Sequence, residues 1–284
     1  MIAFDRREID SITMWNWIRS HSRKKILETP FPIAWEDYLK RNVAHYVRLD
    51  ETERKHFHDL VQVFVAEKHW EGCGGLLLND EIRVTIAGLA CLMVLALPHD
   101  LYRGVESIFV YPSTVVTPER RTGVFEIPSA TSRGAVPILG QAQNRGPVIL
   151  VWDSVLQSAR HPEAGHNVVY HEFAHKLDMF DGQANGTPPL DSPEQYQRWV
   201  EVCSREFLRL RVLSEGGKRT FLDAYGAVNE AEFFAVVTEQ FFDQPAALKR
   251  HHSDLYCILR GFYHQDPAER DRSLKDVSSR ARDP

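Results

Sequence analysis

Apolar and polar positions along the first hundred residues follow a helical period. After Asp50, the residues Phe57, Leu60, Val61 and Phe64 recur at helix spacing, and Asp50 stands three residues before Glu53, as in a capping box. The pattern predicts a helix from about 51 to 68, with an earlier one from Ala34 to Val47. The run VTIAGLACLMVLAL, Val84 to Leu97, follows a helix start at Asn79-Asp80 and is too short to span a bilayer, so it reads as a buried helix. Between these helices, WEGCGGLLLND has glycines but no GxGxxG and no lysine-serine pair, which favours a turn over a phosphate cradle.

The middle third changes period. SIFVYPSTVV, GVFEIP and PVILVWDSVL are short β-branched and aromatic runs broken by Pro, Gly and Asn, and they predict a small sheet of three or four strands. Helical patterns return from Gly165. Ser192-Pro193-Glu194-Gln195 is a helix start with proline at the first helical position and glutamine at the capping-box position. Another helix is expected near Asn229, and a last one running to about Phe262. Residues 266–284 are polar and charged, so a disordered tail is expected there. Nothing marks an internal linker. The reading is one unit over 1–265, with a helical part at 1–100 and the sheet and remaining helices at 101–265.

Composition narrows the function classes. A chain of 284 residues with formal net charge −5 gives no electrostatic reason to expect nucleic acid or an acidic membrane as partner. Its basic clusters, Arg23-Lys24-Lys25 and Arg120-Arg121, are short and isolated. The four cysteines, Cys73, Cys91, Cys203 and Cys257, are far apart and form no CxxC pair, as expected of reduced thiols. MIAFDRREIDSITMWNW carries charges where a secretion signal would need its apolar run. A cytoplasmic location is the expectation.

The candidate chemistry lies in GHNVVYHEFAHKLDMFDG, residues 165–182, which contains HEFAH. With 13 histidines in the chain, an HExxH string arises by accident in roughly one chain in twenty-five of this composition. Geometry adds a test. On a helix, Val169, Tyr170, Phe173, Leu177 and Phe180 form one apolar stripe, while His171, His175 and Asp178 share the opposite side. Two imidazoles one turn apart can reach one zinc, with Glu172 beside them to hold and deprotonate a metal-bound water. The alternative is a solvent-facing histidine pair on an amphipathic helix, which leaves the intervening glutamate unexplained. His166 lies off the metal face and reads as structural.

Catalytic zinc keeps three protein ligands. Asp181 stands ten residues after His171, the metzincin spacing, but position 178 is Asp where that pattern needs a glycine. The other placement is NEAEFFAVVTEQFF, where Glu232, Val236, Glu239 and Asp243 share a face and Phe234, Val237 and Phe241 the opposite one. Glu232 also has a bland role open to it, closing a capping box with Asn229. Asp178 and Glu239 are placed to accept the outer N–H of a ligating imidazole.

HEFAHKLD together with AYGAVNEAEFFAVVTEQFF resembles the Mlc titration factor A family of zinc metallopeptidases, distantly similar to the catalytic domain of anthrax lethal factor. The likeness runs from LNDEIRVTIAGLACL through IFVYP and GPVILVWDSV to FYHQDP, most of the chain. It implies an α+β, mostly helical zincin-type (gluzincin-like) fold with a small mixed sheet. It also implies one Zn2+ held by His171, His175 and Glu232, with Glu172 as general base and Tyr225 as hydrogen-bond donor to the oxyanion. The activity it implies is aminopeptidase-like cleavage of short peptides, and the partner is the glucose-responsive repressor Mlc, whose binding would regulate glucose-uptake genes. The rival expectation is a non-catalytic, repressor-titrating protein with a metal site. A closed structural zinc is disfavoured, since no cysteine lies near HEFAH.

Overall fold

Side-chain caps set the start of most of the long helices. In the computed structural model, which describes residues 22–113 and 146–270, helix α1 (Ile33–Asn42) precedes α2 (Glu51–Glu67), and α2 opens on the expected capping box. Asp50 accepts the Glu53 N–H at 2.8 Å, and Glu53 Oε2 accepts the Asp50 N–H at 3.2 Å. Helix α1 stops at Asn42, short of the expected Val47, and Tyr46–Arg48 form a separate 3-10 turn. The reason is tertiary. The buried Asn42 side chain donates to Thr85 Oγ1 at 3.0 Å and Glu81 Oε1 at 3.1 Å and accepts from Arg160 Nε at 3.0 Å.

Helix α3 (Asp80–Met93) opens on Asn79, which accepts from the Ile82 N–H at 3.0 Å, and it is buried from Val84 to Met93 as its apolar run requires. It ends before the expected Leu97. Gln265 Nε2 donates to the Leu92 carbonyl at its end, at 2.9 Å. Strands β1 (His69–Gly72), β2 (Ser107–Tyr111) and β3 (Val148–Val151) form a sheet in that order, with His69 opposite Ser107 and Ile108 opposite Val148. Both pairings are parallel, so the expected mixed character does not appear among the described residues. A parallel pair needs a crossover, and α3 lies in the one from β1 to β2. The expected strands in SIFVY and PVILV are present; GVFEIP lies outside the described residues. The expected strand at PVILVWDSVL ends at Val151, and Trp152 begins helix α4 (Trp152–Arg160).

The remaining helices are α5 (Val168–Asp178), α6 (Pro193–Glu215), α7 (Glu230–Asp243), α8 (Pro245–His251) and α9 (Ser253–Tyr263). At the start of α6, Ser192 accepts the Gln195 N–H at 3.2 Å, while the Gln195 side chain takes the N–H of Asp191, one residue earlier than a capping box requires. One hydrophobic cluster extends from Leu39 to Ala268. Within it Phe173 of α5 meets Phe64 and Tyr102, with ring centroids 5.8 and 4.9 Å away. Helix α5 packs against α3, α7 and β3, so the HEFAH segment is wedged between both halves of the chain. Residues 266–270 are packed and do not begin a disordered tail: Tyr256 donates to Asp266, Ala268 is buried and Arg270 pairs with Glu53. The rest of the expected tail lies outside the described residues. No helix among the described residues is long and apolar enough to cross a membrane.

Candidate metal centre

Helix α5 is aimed by its N-cap. Asn167 Oδ1 accepts from the N–H groups of Val169 and Tyr170, at 3.2 Å each. The apolar stripe Val169, Tyr170, Phe173 and Leu177 is buried, which leaves His171, Glu172 and His175 half-buried on the other side. Helix α7 starts on Asn229, whose side chain accepts the Glu232 N–H at 2.9 Å. The Glu232 carboxylate does not close a capping box. It points across to α5.

There Glu232 Oε2 lies 3.0 Å from His171 Nε2 and 3.4 Å from His175 Nε2, and the two imidazole nitrogens are 3.3 Å apart. The ligand atoms of the three residues all fall within 4.8 Å of one another. Three donor atoms this close, in a pocket where Glu232 is only 2 % exposed, need a cation between them or a proton shared among them. Without a metal the proton sits on the imidazole. Burial pushes the His171 pKa down, but the Glu232 and Glu239 carboxylates outweigh it and hold it well above the usual range. Burial likewise opposes ionisation of Glu232, and hydrogen bonds from His171 and His175 overcome it, lowering its pKa to about 2.

Glu239, two turns along α7, supports this set from behind. Its Oε1 accepts from His171 Nδ1 at 2.7 Å and its Oε2 from the Asn167 N–H at 2.7 Å. His166 and His171 hold its carboxyl ionised against the cost of burial. One turn further, Asp243 is half-buried beside Glu239, and desolvation and the charge of Glu239 push its pKa well up.

Tyr225 sits in the 3-10 turn Ala224–Ala227, capped by Asp223, whose Oδ1 accepts the Tyr225 N–H at 2.8 Å. Its ring centroid is 5.9 Å from that of His171. Burial, the charge of Glu232 and a hydrogen bond with that carboxylate push the phenol up to about 12, so it stands as a donor at neutral pH. Asp178 behaves differently from expectation. It is buried, and its Oδ1 accepts from the N–H groups of Thr187 at 2.8 Å and Asn185 at 3.3 Å, while Oδ2 has no hydrogen-bond partner. It therefore clamps a loop and accepts from neither imidazole. Asp181 is exposed, accepts from the Gln183 N–H and is not among the clustered donors.

The model of the family described as glucose-regulated metallo-peptidase M90 matches residues 15–264. The chain belongs to this family. It is 31% identical to the Mlc titration factor A of Serratia proteamaculans over 268 residues, covering 93% of this chain and 97% of that protein. Identity to the Mlc titration factor A of Pectobacterium atrosepticum is 29% over 265 residues, 92% and 95% of the two chains. An uncharacterized protein of Synechocystis sp. is 34% identical over 252 residues, 86% of this chain and 88% of that one.

An M90 metallo-peptidase implies a metal, and two imidazoles with one buried carboxylate are a donor set suited to it. Sequence reasoning missed two residues that support this cluster. Asn167 carries the ordinary N-cap signal just before the apolar stripe and could have been found from it. His166 gave none, because its contacts, Asp223 Oδ2 at 3.2 Å and Glu239 Oε2 at 3.8 Å, lie far away in sequence.

Proposed function

We propose that this protein is a zinc-dependent peptidase of aminopeptidase type acting on short peptides in the cytoplasm. His171, His175 and Glu232 would hold one zinc. The convergence of their three donor atoms within 4.8 Å is the observation that carries the reading. Bound there, zinc would supply Lewis acidity, polarising a peptide carbonyl and acidifying water. Glu172, half-buried on α5 between the two histidines, takes the proton of the attacking water and delivers it to the departing amine. The Tyr225 hydroxyl, protonated through neutral pH, donates to the carbonyl oxygen as negative charge develops on it. Lys176 Nζ donates to the Gly146 carbonyl at 3.0 Å and ties α5 to the residues before β3, an edge strand among the described residues. An extended peptide could add to that edge beside the site.

A second reading is favoured by the names of two relatives, Mlc titration factor A. In that reading the chain captures the repressor Mlc stoichiometrically and so regulates glucose-uptake genes; it needs a folded surface but not Glu172. The test is peptide hydrolysis by zinc-loaded wild type beside Glu172→Gln, with metal content and repressor binding measured on both. The peptidase reading expects cleavage by wild type only, with equal zinc in the two proteins. Zinc in both and cleavage by neither would reject it in favour of repressor capture.

A further inference from the structure

His166 is held in place from both sides of its own backbone. The Gly165 carbonyl before it accepts from Gln240 Nε2 at 2.8 Å, and the Asn167 N–H after it donates to Glu239 Oε2 at 2.7 Å. Both partners lie on α7, so the main chain at 166 cannot drift relative to the helix that carries Glu232. Its side chain faces two carboxylates, Asp223 and Glu239. Nε2 reaches Asp223 Oδ2 at 3.2 Å, and the other oxygen of Asp223 accepts the Tyr225 N–H at 2.8 Å. A continuous chain of contacts therefore runs from α7 through His166 and Asp223 to the backbone of Tyr225.

Resting on the peptidase reading above, we infer that His166 is a positioning residue that braces the 223–227 turn and so places the Tyr225 hydroxyl for the reaction. The turn packs on α6 and α7, and its N-cap is where His166 reaches it. It is a short 3-10 segment, and Asp223 is its N-cap, so any movement of Asp223 carries the amide of Tyr225 with it. The imidazole has carboxylates on two sides, Asp223 and Glu239, and they raise its pKa to about 10, so that it acts as a charged donor. His166 touches none of the three candidate ligands. Its contact with Asp223, at 3.2 Å, is shorter than that with Glu239, at 3.8 Å, and Asp223 leads directly to Tyr225. The chemistry at stake is orientation, where a small misplacement of a hydrogen-bonding group costs up to about 100-fold in rate.

The experiment is a double-mutant cycle in the full-length zinc-loaded protein, using wild type, His166→Ala, Tyr225→Phe and the double variant, with kcat, KM and zinc content measured for each. His166→Ala should lower kcat roughly tenfold or more while leaving KM and zinc content unchanged, and should cost nothing further once Tyr225 is Phe. His166→Gln, which retains a donor toward Asp223, should recover most of the loss. An equal loss in the Tyr225→Phe background, or a fall in zinc content, would overturn the inference. Amide exchange on the metal-free proteins gives an independent reading, with His166→Ala exchanging about tenfold faster at Tyr225. If wild type cleaves no peptide, the peptidase reading fails, and exchange still decides the brace: faster at Tyr225 upholds it, unchanged rejects it.

Discussion

Glu239 accepts from His171 Nδ1 at 2.7 Å, and this one contact decides which nitrogen of His171 faces Glu232 and His175. With Nδ1 donating to Glu239, Nε2 is the nitrogen that would ligate a metal once its own proton is displaced. Glu239→Gln keeps the size but offers a dipole in place of a charge. Metal affinity should fall about 10–100-fold, measured by competition with a chromophoric chelator. An affinity within about twofold of wild type would remove Glu239 from the support of the site.

The clustered donors also separate the two third-ligand candidates. Glu232→Gln should weaken metal binding by more than the roughly 100-fold limit expected of a supporting residue, because it removes one of three donors. Asp181→Asn should leave binding unchanged, since Asp181 is exposed and bonds only to its own turn. Metal content after gel filtration, read on both variants, checks this. Loss of metal in Asp181→Asn alone would revive the ten-residue spacing.

His166 gives a pH dependence with a definite sign. Its folded pKa of about 10 stands above the ordinary 6.5, raised first by Asp223 and then by Glu239. Asp243 faces the same region, and its own pKa is pushed well up by desolvation and by Glu239. The stabilisation is therefore fully present below pH 6.5, where both folded and unfolded chains are protonated, and is lost as pH rises from 6.5 to about 10. Urea denaturation of metal-free wild type and His166→Gln should show a gap between them that narrows across this window. A gap that widens with pH would contradict the assignment of the charge.

How much of this was legible in the chain follows from the range of the interactions. The starts of α2, α3, α6 and α7 were readable because Asp50, Asn79, Ser192 and Asn229 act within three residues of themselves. His171, Glu172 and His175 were readable for the same reason, since one helical turn fixes their relation. Strand β1 was not: HWEG has neither a β-branched residue nor a regular alternation of apolar positions, and its order comes from pairing with β2. The end of α1 was hidden because Asn42 is satisfied by Glu81, Thr85 and Arg160, far along the chain. Asp178 was assigned by its helix face alone. Its actual partners, Asn185 and Thr187, belong to a loop whose path the helical period does not specify.

That loop carries the sharpest steric prediction. Asp178 Oδ1 accepts from Asn185 and Thr187, and Trp199 Nε1 donates to the Gly186 carbonyl at 3.0 Å, so the backbone at 186 is tied on both sides. Gly186 has φ +74, and a Cβ there would lie 2.3 Å from the Glu230 carbonyl oxygen. Glu230 is the first residue of α7, two before Glu232, so the contact can be relieved only by moving the loop off its clamps or α7 off α5. Gly217 is the control, with φ +65 and nothing within 4 Å of its Cβ position. Gly217→Ala should cost only the conformational term, about 1 kcal/mol. Gly186→Ala adds an overpacking cost and should total roughly 2–4 kcal/mol. Urea denaturation of the metal-free proteins compares the two directly. Gly186→Ala should also weaken metal binding, because its clash presses on the turn that presents Glu232, whereas Gly217→Ala should leave metal affinity untouched. Equal destabilisation by both substitutions would mean that the loop and α7 do not approach as closely as the Gly186–Glu230 contact requires.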